Sequence, residues 1–156
     1  MTTIAYKDGV IAYDSRITRD TEIVYDDFQK CHEEKGVKFI FAGKTSHYPR
    51  LVAAYFGAPE SRDLQCSAIV VDADGLWYAG NDADDGFWKS QLIGGKPYAI
   101  GSGGLHALTA MDMGATAAEA VEMAKKRDTC TGGLVRTLII NEGMADAKTN
   151  ASGVTA

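Results

Sequence analysis

The pattern that most constrains this chain stands at its start. Thr3-Ile4-Ala5-Tyr6 and Val10-Ile11-Ala12-Tyr13 are short apolar runs parted by Lys7-Asp8-Gly9. Asp-Gly between two such runs is a strong signal for a tight hairpin turn. The opening residues have neither the charged region nor the apolar block of a secretory leader, so a strand is expected to begin almost at the first residue. Chain ends usually fray. An end that starts a strand is held inside the fold, and the side chains it carries are held with it.

The rest of the first half is also β-rich. Strands are expected over 22–25 and 28–33, with Asp26-Asp27 as the turn between them. Residues 38–42, Lys-Phe-Ile-Phe-Ala, are nearly continuous in apolar character and are expected to be buried on both faces. Over 45–56 the period changes: Leu51, Ala54 and Tyr55 fall at i, i+3 and i+4, which predicts a short helix stopped by Gly57 and Pro59. A second β block covers 67–71, 76–79, 87–93 and 98–100, broken by Asp74-Gly75 and Gly94-Gly95. Two helices follow. One runs over 103–113 and stops at Gly114; the other opens with Thr116-Ala117-Ala118-Glu119 and carries Ala117, Ala120, Val121 and Ala124 on one face. That opening is a capping box, in which the Thr hydroxyl and Glu carboxylate satisfy free backbone N–H groups. A strand over 135–140 closes the pattern, and the small, polar segment 148–156 is expected to be disordered. This order predicts an α+β fold of antiparallel sheets covered by helical layers. Without internal repeat or linker, residues 1–147 form one domain.

Charge and cysteine usage exclude several function classes. Acidic residues outnumber basic ones by 21 to 16, for a net charge of -5. No stripe of Lys or Arg offers itself to nucleic acid. No stretch approaches the roughly 20 apolar residues of a membrane span. Cys31, Cys66 and Cys130 form no C-x-x-C pair, which points to a reducing, cytoplasmic compartment. His32, His47 and His106 do not join the cysteines at ligand spacing, so no metal site is expected. Cys31 beside His32 is read as a buried Cys next to a surface His, because neighbours on a strand point to opposite faces.

Met-Thr is a common opening and assigns nothing by itself; Thr2 is a candidate nucleophile through the motifs that accompany it. Once Met1 is removed, its α-amine would titrate at about 7.7–8.0, so one residue would supply both nucleophile and base. Around it stand Asp14-Ser15-Arg16-Ile17-Thr18, Asp27-Phe28-Gln29-Lys30, Phe41-Ala42-Gly43, Ile100-Gly101-Ser102-Gly103-Gly104 and Arg127-Asp128-Thr129-Cys130-Thr131-Gly132-Gly133. This ordered series resembles the proteasome β-type family, including the bacterial HslV peptidase, over roughly 2–140. The resemblance implies a four-layer α-β-β-α sandwich of the Ntn-hydrolase type and a threonine peptidase without cofactor or catalytic metal. It implies Thr2 as nucleophile, Lys30 as the active-site cation, Asp14 as its acidic partner and the Gly43 N–H as oxyanion hole. Ser102, Asp128 and Thr131 match the set that hydrogen-bonds the terminal amine and a water; the family usually has Ser at the last of these. By the same matching Ile17, Phe28, His32, Phe41 and Thr45 surround the pocket for the residue before the scissile bond, which predicts a preference for small or medium apolar side chains. The resemblance also allows a structural cation at the 128–133 turn.

One departure is plain. Family members carry two long helices after the strand that ends at Gly43, and residues 44–66 have no room for two helices of about 11–12 residues and a connection. The second helix is expected to be missing or a stub, with apolar surface left exposed there unless a neighbouring chain covers it. The short spacer suits a compact or phage-encoded version of the family. The implied partners are a peptide or unfolded protein substrate, further copies of this chain in a homo-oligomeric ring, and an ATPase unfoldase, whose docking surface the short spacer would alter. Two rival readings use the same residues: an Ntn-type amidase or acylase acting on a small amide, and a non-catalytic ring-forming scaffold subunit that keeps Met1.

Overall fold

A computed structural model describes residues 2–140 of the chain. The tail expected to be disordered, 148–156, lies outside the described residues. The elements are β1 (Ile4–Lys7), β2 (Val10–Tyr13), β3 (Ile17–Arg19), β4 (Glu22–Tyr25), β5 (Cys31–Glu34), β6 (Val37–Gly43), a 3-10 turn (Thr45–His47), α1 (Tyr48–Tyr55), β7 (Cys66–Asp72), β8 (Gly75–Asp82), β9 (Gly86–Gln91), β10 (Tyr98–Ile100), α2 (Gly104–Asp112), α3 (Ala117–Lys125) and β11 (Arg136–Ile139). Among the described residues no helix is long and apolar enough to cross a membrane.

Two antiparallel sheets face each other. The first has the order β10-β1-β2-β11, so the strand nearest the amino terminus lies inside the sheet, between two partners. The Asp8-Gly9 turn has both residues at positive φ, +50° and +78°, the conformation a two-residue hairpin of this hand requires. The second sheet is a five-stranded meander, β5-β6-β7-β8-β9. Alternation along the strands sorts the core into three clusters. Ile4, Tyr6, Ile11 and Tyr13 meet Ile40, Ala42 and Ile69 between the sheets. Ala5 and Ala12, pointing the other way, receive Ala107 and Met111 of α2 and Ala117, Ala120 and Val121 of α3. Phe39, Phe41, Ala68 and Val70 point away from the first sheet and are covered by Tyr48, Leu51 and Val52 of α1. The result is the expected α-β-β-α layering, with a single helix on one outer face.

Most expected elements are present, and the capping box of Thr116 and Glu119 is complete, with bonds of 3.1 and 2.9 Å. Three expectations need correction. The strand expected over 28–33 starts only at Cys31: Phe28 N–H donates to Ser15 O and Lys30 is buried, so 28–30 leaves the ladder to line the site. Residues 17–19 and 22–25 pair as a separate hairpin, whose first strand was not expected. Cys31 is half-buried rather than buried.

The truncated spacer holds α1 alone. Its outer aromatic face is not left bare: Tyr55, Phe56, Trp77 and Phe87 are partly buried against the cluster beneath, Lys35 lies over the Phe56 ring at 4.8 Å, and Lys89 lies over Trp77 at 4.1 Å and Tyr55 at 5.5 Å. Two lysine stems and their charges cover this aromatic face. The exposed large apolar side chains lie elsewhere, with Ile23, Val24 and Tyr25 of β4 and Leu134 among them.

Candidate active site

Because β1 is an inner strand, Thr2 and Thr3 enter the protein interior, and both are fully buried. The Thr2 hydroxyl donates to Asp14 Oδ1 and accepts from Lys30 Nζ. Lys30 Nζ also donates to Asp14 Oδ1 at 2.8 Å, an ion pair with both side chains at 0% exposure. Asp14 stands just past the end of β2, the hairpin partner of β1, so the turn at Asp8-Gly9 brings it beside Thr2. Its Oδ1 takes the Thr3 N–H at 3.2 Å, and its Oδ2 takes the Gly132 N–H at 2.9 Å and the Arg16 N–H at 3.3 Å. Burial pulls the Lys30 ammonium below its ordinary value, and the charge of Asp14 opposes that pull.

A second layer of bonds fixes the backbone of Thr2. Ser102 Oγ donates to Asp128 Oδ2 at 2.6 Å and stands 3.4 Å from Thr2 O; Thr131 Oγ1 donates to the same carboxylate oxygen at 2.6 Å. Thr131 and Thr3 hydroxyls are 2.7 Å apart. Gly101 has φ +97°, and a Cβ there would stand 2.0 Å from Thr2 O, so only glycine permits this approach. Burial raises the Asp128 carboxyl, but the bonds from Ser102, Thr131 and the Cys130 N–H outweigh it and hold it below the usual carboxylate range. A depressed folded-state value means that the unfolded chain takes up this proton first as the pH falls. The stability Asp128 contributes is therefore full above the unfolded value of about 3.9 and is lost below it, as the pH falls through the lower folded value. Asp128→Asn is accordingly expected to flatten the acid limb of a urea-denaturation profile below pH about 4; an unchanged limb would contradict the assignment.

Gly43 closes β6 at φ +106°, where a Cβ would meet Gln65 O at 2.5 Å. Phe41 N–H donates to Lys30 O. Strand alternation turns the Gly43 N–H to that same edge, beyond the first residue of β5. The adjoining peptide is gripped at both ends: Tyr48 Oη donates to Gly43 O at 3.2 Å, and Lys44 N–H donates to Gln65 O at 2.8 Å. Thr2, Gly43, Gly101 and Ser102 share one cleft of about 620 Å³.

The residues expected to surround a single substrate pocket are divided. Phe28, His32 and Phe41 line a pocket of about 400 Å³ with Tyr48 and Val52. Ile17 and Thr45 line a neighbouring one of about 310 Å³ that includes Gly43. Phe41 is 3% exposed and stacks on Tyr48 at 4.3 Å, so it is a core aromatic as well as a wall of the pocket. His32 is exposed and faces Glu34 at 3.2 Å. Sequence reading missed Thr3, Arg16 and Tyr48. Arg16 clamps the 128–133 loop by donating to Thr129 O at 3.0 Å while paired with Asp26 at 2.8 Å. A threonine directly after the candidate nucleophile and a lone arginine two residues after Asp14 were the available signals. Among the described residues no group of His, Cys, Asp and Glu could hold a metal ion.

No family model matches the chain, and no curated protein does. Solved structures match over nearly its whole length. Thiobacillus denitrificans BPH, alone and in complex with epoxomicin, is 18% identical with a TM-score of 0.62, over 90% of this chain and 97% of that one. Eukaryotic HslV from Trypanosoma brucei is 18% identical with a TM-score of 0.66, over 90% of this chain and 98% of that one. At this identity the likeness is one of fold: the chain has the proteasome-β, HslV-like fold.

Proposed function

We propose that this chain, on its HslV-like fold, is the threonine-type endopeptidase subunit of a self-compartmentalising protease. The observation that carries the reading is the buried contact of the Thr2 hydroxyl with both Lys30 Nζ and Asp14. A hydroxyl held this way beside a cation is biased toward alkoxide. Removal of Met1 turns the amide nitrogen of Thr2 into a free amine, which takes the hydroxyl proton as Oγ adds to a peptide carbonyl carbon. The oxyanion so formed is held by the Gly43 N–H. Collapse breaks the C–N bond, the proton passes to the departing nitrogen, and an ester on Thr2 remains. Water held by Ser102, Asp128 and Thr131 then attacks the ester carbonyl carbon, gives up a proton through the Thr2 amine to Thr2 Oγ as that C–O bond breaks, and releases the acid. No cofactor takes part. Thr2 is 0% exposed, and processing would free its amine to act as the base.

The pocket between Phe28 and Phe41 would receive a small or medium apolar side chain on the acyl side, with Ile17 and Thr45 beside the chain leading to it. Copies close into a ring in the cytoplasm, a reading supported by the exposed apolar residues Ile23, Val24, Tyr25 and Leu134. An ATPase unfoldase would feed unfolded protein to it. Intact-mass analysis with epoxomicin tests the core of the reading. The expected result is loss of Met1 and one adduct per chain, no adduct on Thr2→Ala, and none on a chain carrying an uncleaved tag before Thr2. A Met1-free chain that stays unlabelled, or a labelled Thr2→Ala chain, would overturn it.

A further inference from the structure

The cleft beside Thr2 has a feature that the proposed reaction does not use. Asn81, on β8, is 4% exposed and belongs to the cleft wall. Its Nδ2 donates to Arg62 O at 2.9 Å and Glu60 O at 3.3 Å, which fixes the amide orientation. Its Oδ1 is buried and has no partner among the described residues. Leaving a buried acceptor unpaired costs about 1–3 kcal/mol, so a donor that reached this oxygen would recover that cost. The charged residues of the same wall are both acidic, Asp63 and Asp82. Asp63 Oδ1 accepts from Ala83 N–H and Asp82 Oδ1 from Asp85 N–H, each at 2.7 Å. No ion pair among the described residues reaches either carboxylate. Asp84 and Asp85 stand in the adjoining turn, and Arg62 directly precedes Asp63. Tyr78 and Trp88, edge to face at 5.2 Å, supply an aromatic wall.

Free carboxylate oxygens, an aromatic face and an unpaired amide oxygen together are the partners that a Lys ammonium or Arg guanidinium binds. Thr2, Gly43 and Ser102 belong to the same cleft, while the Phe28–Phe41 pocket is separate from it. A peptide whose acyl-side residue occupies the aromatic pocket leaves its departing half to the cleft. We infer that the Asp63–Asn81–Asp82 cleft is a leaving-group subsite that selects substrates with a basic residue just after the scissile bond. The inference rests on the peptidase reading and extends it to substrate class.

The test uses internally quenched peptides that share one apolar acyl half and carry Lys, Ala or Glu in the first two leaving-group positions. The Lys peptide is expected to exceed the Ala peptide in kcat/KM by about tenfold, with Glu slowest and the spread shrinking in high salt. Asp63→Asn with Asp82→Asn is expected to bring the Lys-to-Ala ratio close to unity. Asn81 itself is a poor first probe, because its Nδ2 bonds hold the backbone at Glu60 and Arg62. A second measurement needs no turnover: binding of Lys-Ala-Ala-amide and Ala-Ala-Ala-amide to the Thr2→Ala chain, followed at the Asn81 side-chain amide by NMR, is expected to favour the Lys peptide. Equal rates for Lys, Ala and Glu from a chain that epoxomicin labels would overturn the inference alone. A Lys preference that survives the double substitution would overturn its assignment to this cleft. A chain that neither labels nor cleaves ends the peptidase reading, while Lys-peptide binding at Asn81 would still support the cation site.

Discussion

Lys30→Met is expected to slow covalent labelling of Thr2 about a thousandfold, at the upper end of the loss from one oxyanion-hole donor, because a full charge in contact with the forming alkoxide is removed. The side chain is 1% exposed and its Nζ touches both the Thr2 hydroxyl and Asp14 Oδ1. The charge therefore acts through protein and not through water, where its effect would be several-fold weaker. Methionine keeps most of the volume, which separates loss of charge from loss of packing. Lys30→Arg keeps the charge but offers a planar fork in a site shaped around a single ammonium, and should fall between the two. Asp14 retains the Thr3, Arg16 and Gly132 N–H groups in the variants, so the carboxylate stays hydrogen-bonded and the fold should persist, as far-UV circular dichroism would show. Wild-type labelling rates in folded Lys30→Met would remove the role given to this residue.

The residues that make this contact were reached from the sequence through the resemblance to the proteasome β-type family, and the structure supplies a physical reason for the place of Asp14. Asp8-Gly9 sets the register of the first hairpin, and that register puts Asp14 opposite the start of β1. The fold follows in the same way from local signals: alternating apolar runs, the Thr116 capping box, and the small Ala5 and Ala12 that let two helices approach one face. Other features depend on how elements meet, which no local pattern encodes. Segment 28–30 alternates like a strand, yet Phe28 turns to Ser15 and Lys30 to Thr2. The division between the pocket of Phe28, His32 and Phe41 and that of Ile17 and Thr45 follows from where α1 sits, with Tyr48 reaching back to Gly43 O. The missing second helix was evident from spacing, but its cover was not, because Lys35 and Lys89 belong to a hairpin turn and to β9. Asn81 gave no sequence signal at all.

Asp14→Ala should be among the most destabilising single substitutions in the chain. It leaves the Lys30 ammonium without a counter-charge in a site at 0% side-chain exposure and strips the acceptor from the Thr3 and Gly132 N–H groups. Breaking a buried pair on one side costs about 3–5 kcal/mol, which for a domain of this size lowers Tm by roughly 10 °C. The double substitution Asp14→Ala with Lys30→Met removes the orphaned charge as well and should recover about 1–2 kcal/mol, short of full recovery because the Thr3, Arg16 and Gly132 N–H groups still lack their acceptor. The pH dependence separates this from simple loss of packing. In Asp14→Ala, burial loses its main opposition and only the weaker pull of Asp128 and Cys130 remains, so the folded-state Lys30 value falls further below its unfolded value of about 10.4. Between those two values the unfolded chain holds more protons than the folded one, and stability rises with pH. Urea denaturation of Asp14→Ala should therefore show greater stability at pH about 9.5 than at 7, a difference absent from the double variant. A single variant as stable as the double, or one indifferent to pH over this range, would mean that Lys30 is not held in the interior as an ammonium by Asp14. The activation of Thr2 would then need another cation.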